Sequence, residues 1–208
     1  MEEFSAFLGV FGAVYGIVAI FSSVIGLVMY LLKAFGIYNM SKSLGINNAW
    51  FSFIPLVNTY TFGKVAESYK LKSGKKSAKF GFWLLVLNIL QVIAVIALIV
   101  TLILLVAGIA SVEDGMIEDS AALRAEIISA IIPFVVAYFL TLAIAITLTV
   151  VRYVALWRIY DVFSKNNATL FIILSILFSF LEPIFLFIIR NNPPMFNTVF
   201  TVPVIDEE

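Results

Sequence analysis

The 208-residue chain contains neither cysteine nor histidine. It therefore lacks thiolate nucleophiles, disulfides, imidazole bases and the usual zinc ligands together. Charge is scarce as well, at 12% of residues, and thirteen basic residues balance thirteen acidic ones. No overall field draws a nucleic acid or an acidic partner, so only the placement of charge along the chain is informative. The missing cysteines leave the redox compartment open.

What is present is apolar. Hydrophobic residues make up 62% of the chain and the mean hydropathy is +1.10. That is more apolar surface than one water-soluble core can hide, so lipid must cover the excess. Crossing a hydrocarbon layer of roughly 30 Å takes about 20 helical residues. Phe4 to Leu32, Phe80 to Val112 and Ile127 to Val151 are long enough and uncharged, and Asn166 to Ile189 is interrupted only by Glu182. The expected fold is an all-α integral membrane bundle of about four transmembrane helices. The spans are placed at about 7–32, 80–110, 127–151 and 167–189, followed by a polar tail over 191–208. The first stretch follows Glu2 and Glu3 rather than a positive start, and reads as a retained span rather than a secretory signal.

Lysine and arginine set the orientation, because cytoplasmic loops retain positive charge during insertion. Eleven of the thirteen lie between Lys33 and Lys79 or between Arg152 and Lys165, while ten of the thirteen acidic residues gather at Glu2 and Glu3, around Glu113 to Glu126, and at Asp206 to Glu208. The two basic regions are expected in the cytoplasm and both termini outside. The lysines of 70–79 could also meet anionic headgroups.

Within the loop 33–79, the segment 49–63 carries Trp50, Pro55, Asn58 and Tyr60. A crossing there would put Lys64 to Lys79 outside, and its asparagines are costly in lipid. It is expected to be an interfacial or re-entrant helix after the first span. Gly45 suits a helix C-cap after Leu44, and Pro55 suits a first helical turn. A repeat is also visible: Lys33 to Ala49 aligns with Arg152 to Ala168, matching Lys33 with Arg152 and Asn-Asn-Ala with Asn-Asn-Ala. Each copy follows a span and precedes an apolar segment.

Glu182 is the one ionisable residue well inside an expected span, which makes it the first functional candidate. Ser175 and Ser179 precede it at helical spacing and would share its face, with Tyr15 or Tyr138 as hydrogen-bonding partners at similar depth. Pro183 raises an alternative, because it could start a new helix and place the carboxylate at a break. A reversal there would return the C-terminus to the cytoplasmic side. Asn88 and Gln91 share a face of the second span and suit interhelical hydrogen bonds or solute contact. Gly9, Gly12, Gly16 and Gly26 give the first span a small-residue stripe suited to close helix packing, within the chain or between copies.

Catalytic sets fail one by one. Tyr160-Asp161 has no G-x-G-D partner, and Ser23 lies ten residues from the nearest lysine, Lys33. No cofactor motif or metal cluster is visible.

Gly45, Trp50, Ile54, Pro55, Asn58, Tyr60, Gly63 and Lys64 form a pattern, G-x(4)-W-x(3)-I-P-x-x-N-x-Y-x-x-G-K, that resembles a family of small bacterial multi-pass membrane proteins of unassigned function. The last segment, from Ala168 onward, is similar to theirs too. The resemblance implies a bacterial cytoplasmic membrane. Related families carry a name likening them to signal peptidase I, but this chain has no Ser and Lys pair in the required setting, so no such activity follows. The expectation is a non-enzymatic interaction or accessory component with membrane lipid, a further copy or another membrane protein as partner. The alternative is a small solute or ion transporter or channel subunit using Glu182.

Overall fold

The computed structural model describes residues 2–70, 79–113 and 120–195, with side chains described for 9–70, 79–109 and 128–195. The helices with described bounds run in the order α1 (Glu2–Ser43), α2 (Asn58–Glu67), α3 (Phe80–Glu113), α4 (Ser120–Phe163), α5 (Ala168–Leu177) and α6 (Leu181–Ile188). Short 3₁₀ turns, Ala49–Phe53, Lys165–Asn167 and Ile189–Asn191, precede α2, precede α5 and follow α6. No strand occurs among the described residues, in keeping with the all-α expectation.

Among the described residues three helices are long and apolar enough to cross a membrane, over Gly9–Ser43, Phe80–Ile109 and Ile128–Phe163. The fourth expected span, 167–189, is instead two short helices broken at Phe178 to Phe180. They double back on themselves. Asn192 Nδ2 donates to the Phe163 carbonyl at 3.0 Å, and Met195 N donates to the Val162 carbonyl at 2.9 Å. The chain thus leaves α4 at Phe163, rises through α5, returns through α6 and comes back beside its starting point. The rings of Phe171 and Phe185 stack at 4.4 Å between the two arms. The last described residue, Met195, therefore lies beside the end of α4, at the basic end of the bundle.

The segment after α1 makes a similar excursion. α1 stops in a Schellman motif: Ile46 N bonds to the Ser41 carbonyl at 2.9 Å and Gly45 N to that of Lys42 at 3.1 Å, with Gly45 at φ 67°. Only glycine takes that dihedral cheaply, as its place after Leu44 anticipated. The chain then climbs along α1 until the Tyr30 hydroxyl donates to the Phe53 carbonyl at 2.9 Å. Thirteen residues of helix separate Tyr30 from Ser43, so the climb is about 20 Å. Past Pro55 and Leu56, the latter at φ 68°, α2 descends again and Glu67 accepts from Gly81 N at 2.9 Å. The segment expected over 49–63 is thus a helical hairpin with both ends on the basic side.

The core lies where these hairpins meet the long helices. Ile37 and Met40 of α1, Phe62 and Val65 of α2, Leu84 of α3, Leu156 and Ile159 of α4, and Leu186 of α6 are all buried there. Glycine permits two close crossings. A Cβ on Gly63 would lie 2.5 Å from the Gly81 Cα, and one on Gly36 would lie 2.8 Å from the Leu186 carbonyl oxygen. The stripe singled out on α1 plays no such part: a Cβ on Gly9, Gly12, Gly16 or Gly26 meets nothing within 4 Å. Away from the core, α3 and α4 pair along their length, and the Thr141 hydroxyl lies 2.7 Å from the Ala137 carbonyl and 3.2 Å from that of Ala94 on α3. Such side-chain bonds hold helices together where lipid offers no partner.

Two outcomes follow. Gly63→Ala or Gly36→Ala should lower stability in detergent by about 1–3 kcal/mol, the usual cost of overpacking, while Gly12→Ala and Gly16→Ala leave the melting temperature unchanged; thermal unfolding followed by Trp fluorescence reads both. Because the chain has no cysteine, single introduced thiols report topology cleanly. Asn47→Cys and Asn191→Cys should label from one face of the membrane and Gly9→Cys from the other.

Candidate functional site

Glu182 lies in the first turn of α6, where Pro183 can follow because first-turn amides have no helical partner to lose. The expected break exists, but it sits deep in the bundle. Glu182 Oε1 accepts from Lys33 Nζ at 2.8 Å and Oε2 from Arg152 at 2.7 Å. The Glu182 side chain is 3% exposed, Lys33 17% and Arg152 47%. Lys33 Nζ also stands 5.1 Å over the Phe62 ring. Nine residues, or about 14 Å of helix rise, separate Lys33 from Lys42 at the basic end, so the cluster lies roughly half a hydrocarbon thickness inward.

The tyrosines proposed as partners do not reach this carboxylate. Tyr15 is 70% exposed on the outer half of α1, and Tyr138 faces outward beside Phe139. Ser175, Ser179 and Glu182 do not share a helix face either, because α5 ends at Leu177. Ser175 points inward and bonds the buried Tyr160 hydroxyl at 3.0 Å, while Ser179 is exposed at the break.

Asn88 has the clearest place among the amides. With Lys33, Asn58, Thr59, Phe62, Leu84, Leu148, Thr149 and Arg152 it lines a cavity of about 130 Å³ between α1, α2, α3 and α4. Gln91, one turn further along α3, is not among the lining residues, and its Oε1 is buried without a partner among the described residues. Of the 49–63 residues, Asn58 reaches the cavity, Trp50 is exposed against Phe51, Pro55 forms the hairpin turn, and Tyr60 lies under Lys64 Nζ at 5.6 Å from its ring. The lysine loop expected to meet headgroups lies mostly outside the described residues, at 71–78.

Lys33 and Arg152 were read from sequence only as markers of topology. The signal that could have joined them was the repeat, which pairs these two positions; both turn inward to one carboxylate. The cluster carries two positive charges and one negative. Glu182 closes it from one side, and the cavity opens on the cationic side, where amides and hydroxyls can bond to whatever enters. Among the described residues no group of three Asp, Glu, His or Cys side chains could hold a metal ion.

Fold and site together define a multi-pass α-helical membrane protein with a charged cluster between its helices. Comparison with family models, with curated proteins and with solved structures finds no match to the chain.

The charge count orders the substitutions. Glu182→Gln leaves two cations facing each other in a poorly solvated site and should cost about 3–5 kcal/mol of stability. Lys33→Met leaves the neutral Arg152–Glu182 pair and should cost less. Melting temperatures in detergent should therefore fall in the order wild type, Lys33→Met, Glu182→Gln; the reverse order would mean that the carboxylate is not ionised.

Proposed function

We propose that the protein is a non-enzymatic component of a bacterial cytoplasmic membrane that binds a small anion between its helices, in the class of solute-transport or channel subunits. The observation that carries this reading is the polar cavity beside Lys33 and Arg152, whose combined charge one carboxylate does not balance. An excess positive charge held away from water attracts an anion far more strongly than it would in bulk solvent. Asn58, Asn88, Thr59 and Thr149 add hydrogen-bonding groups from three helices.

Volume restricts the occupant. About 130 Å³ is room for roughly four waters, which suits an inorganic anion or a carboxylate of one or two carbons. The lysine and arginine bias puts the basic end, and with it the nearer mouth of the cavity, on the cytoplasmic side.

The interaction reading has its own support. Residues 12–28 of α1 are exposed or half-exposed over five helical turns, and α1 joins the α3–α4 pair chiefly through the two hairpins. A second copy packed on that stretch would bury the small-residue stripe. It would also wall a route from the cavity toward the far side.

Binding is read by stability at fixed ionic strength. A small anion at about one hundred times its dissociation constant should stabilise the detergent-solubilised protein by roughly 2.7 kcal/mol, with saturation. Asn88→Leu should abolish the gain. Equal shifts from every salt, or a gain that survives Asn88→Leu, would refute the site.

A further inference from the structure

We infer that the groove between α1 and α6 is a site for one anionic phospholipid of the cytoplasmic leaflet. Two adjoining cavities form it. The first, of about 480 Å³, is lined by Val28, Leu31, Leu32, Phe35 and Phe187 and ends at Asn39 and Arg190. The second, of about 660 Å³, begins at the same Asn39 and Arg190 and continues over Lys42, Ser43, Asn191 and Asn192. An apolar trough thus runs directly into a basic, amide-rich one.

The dimensions suit a lipid. Eleven residues of helix separate Val28 from Asn39, a rise of about 16 Å, against roughly 15 Å for the hydrocarbon of one leaflet. An acyl chain laid along the first cavity therefore brings its phosphate level with Asn39, Arg190 and Lys42. Charge agrees with this placement. Among the described residues no acidic side chain lines either cavity, and the two cations are held apart from the Glu182 cluster. Arg190 is oriented in advance: its Nη1 donates to the Phe187 carbonyl at 2.7 Å and its guanidinium carbon sits 3.6 Å over the Phe187 ring centroid. The remaining guanidinium donors are available to a phosphate, whose oxygens match that planar fork. Lys42 is exposed beside Tyr38, its Nζ 5.9 Å from the ring centroid.

An acidic headgroup follows from the count of two cations and no anion. A zwitterionic lipid brings, beside its phosphate, a third positive charge to a site that already has two, whereas phosphatidylglycerol brings only the negative one. The site is separate from the anion cavity, so either can fail while the other stands.

Native mass spectrometry of the full, delipidated chain, titrated with phosphatidylglycerol or phosphatidylcholine, tests the inference. One phosphatidylglycerol per chain should bind, in preference to phosphatidylcholine. Lys42→Gln should weaken it about fivefold and Lys42→Gln with Arg190→Gln about twenty-five-fold, the factors expected for the loss of one and two interfacial charges. Phosphatidylcholine binding should barely change. Leu31→Trp, which fills the apolar trough, should weaken both lipids. The Lys42 and Leu31 variants keep the test decisive if loss of Arg190 harms folding. Equal binding of the two lipids, charge variants that bind phosphatidylglycerol as the wild type does, competition by free glycerol phosphate, or a groove occupied by a second copy of the chain would each overturn the assignment.

Discussion

The Glu182 carboxylate between Lys33 and Arg152 is the constraint on which the arrangement of the bundle turns. α1 and α4 bring the cations from helices that are joined chiefly through the two hairpins, and α6 brings the anion on the return arm of a hairpin. A charge in a lipid-surrounded interior cannot stand unpaired without severe cost. Once α6 places Glu182 at this depth, at least one cation must be near it, and Lys33 of α1 is. That requirement fixes the register of α6 against α1, and the close approach of Gly36 to Leu186 one turn further along is the packing that the register permits.

The two halves of the molecule clasp one another. In each, a long helix ends, an Asn-Asn-Ala sequence and a short 3₁₀ turn follow or overlap, and a hairpin enters the bundle and returns. The returning arm of each hairpin then packs on the other half. α2 lies against α3 and α4, and α6 lies against α1. Neither half can bury its hairpin alone. The core sits where the exchange occurs, at the basic end, while the outer lengths of α1, α3 and α4 present large apolar side chains outward along the faces described. Those faces are ordinary only if lipid is the solvent.

Much of this was legible in the sequence. The three long spans, a segment after α1 that does not cross, the Gly45 cap and the special standing of Glu182 all follow from hydropathy, local turn chemistry and the cost of charge in lipid. The last segment was placed as one span, with a reversal near Pro183 as the alternative, because length and hydropathy do not distinguish one helix of 23 residues from two short arms; the break at Phe178 to Phe180 carries neither glycine nor proline at its turn. The glycines of the crossings within the chain were missed for a related reason. A stripe at helical spacing shows that a close approach is available, not that a partner is there, and the crossings that occur use Gly36, Gly63 and Gly81, which form no stripe. Lys33 and Arg152 were hidden by their own usefulness: a basic residue at the end of an apolar run is the ordinary mark of a membrane boundary.

That misreading bears on how the polar interior should be understood. Had Lys33 marked the boundary, the bundle beyond it would stand in water. Instead Leu170, Ile173, Ile176 and Phe180 on the α5–α6 hairpin and Phe35, Val154 and Ile188 around it are exposed apolar residues. Their surface extends the hydrocarbon-facing belt past the cluster toward Lys42 and Lys165. A structural latch for the hairpin would need one cation for one anion. Two cations, both lining a cavity that also presents amides and hydroxyls, exceed what holding α6 requires. The surplus charge is costly unless something negative shares the site, and it is this imbalance, rather than the mere presence of ions in lipid, that separates a binding site from a buried salt bridge.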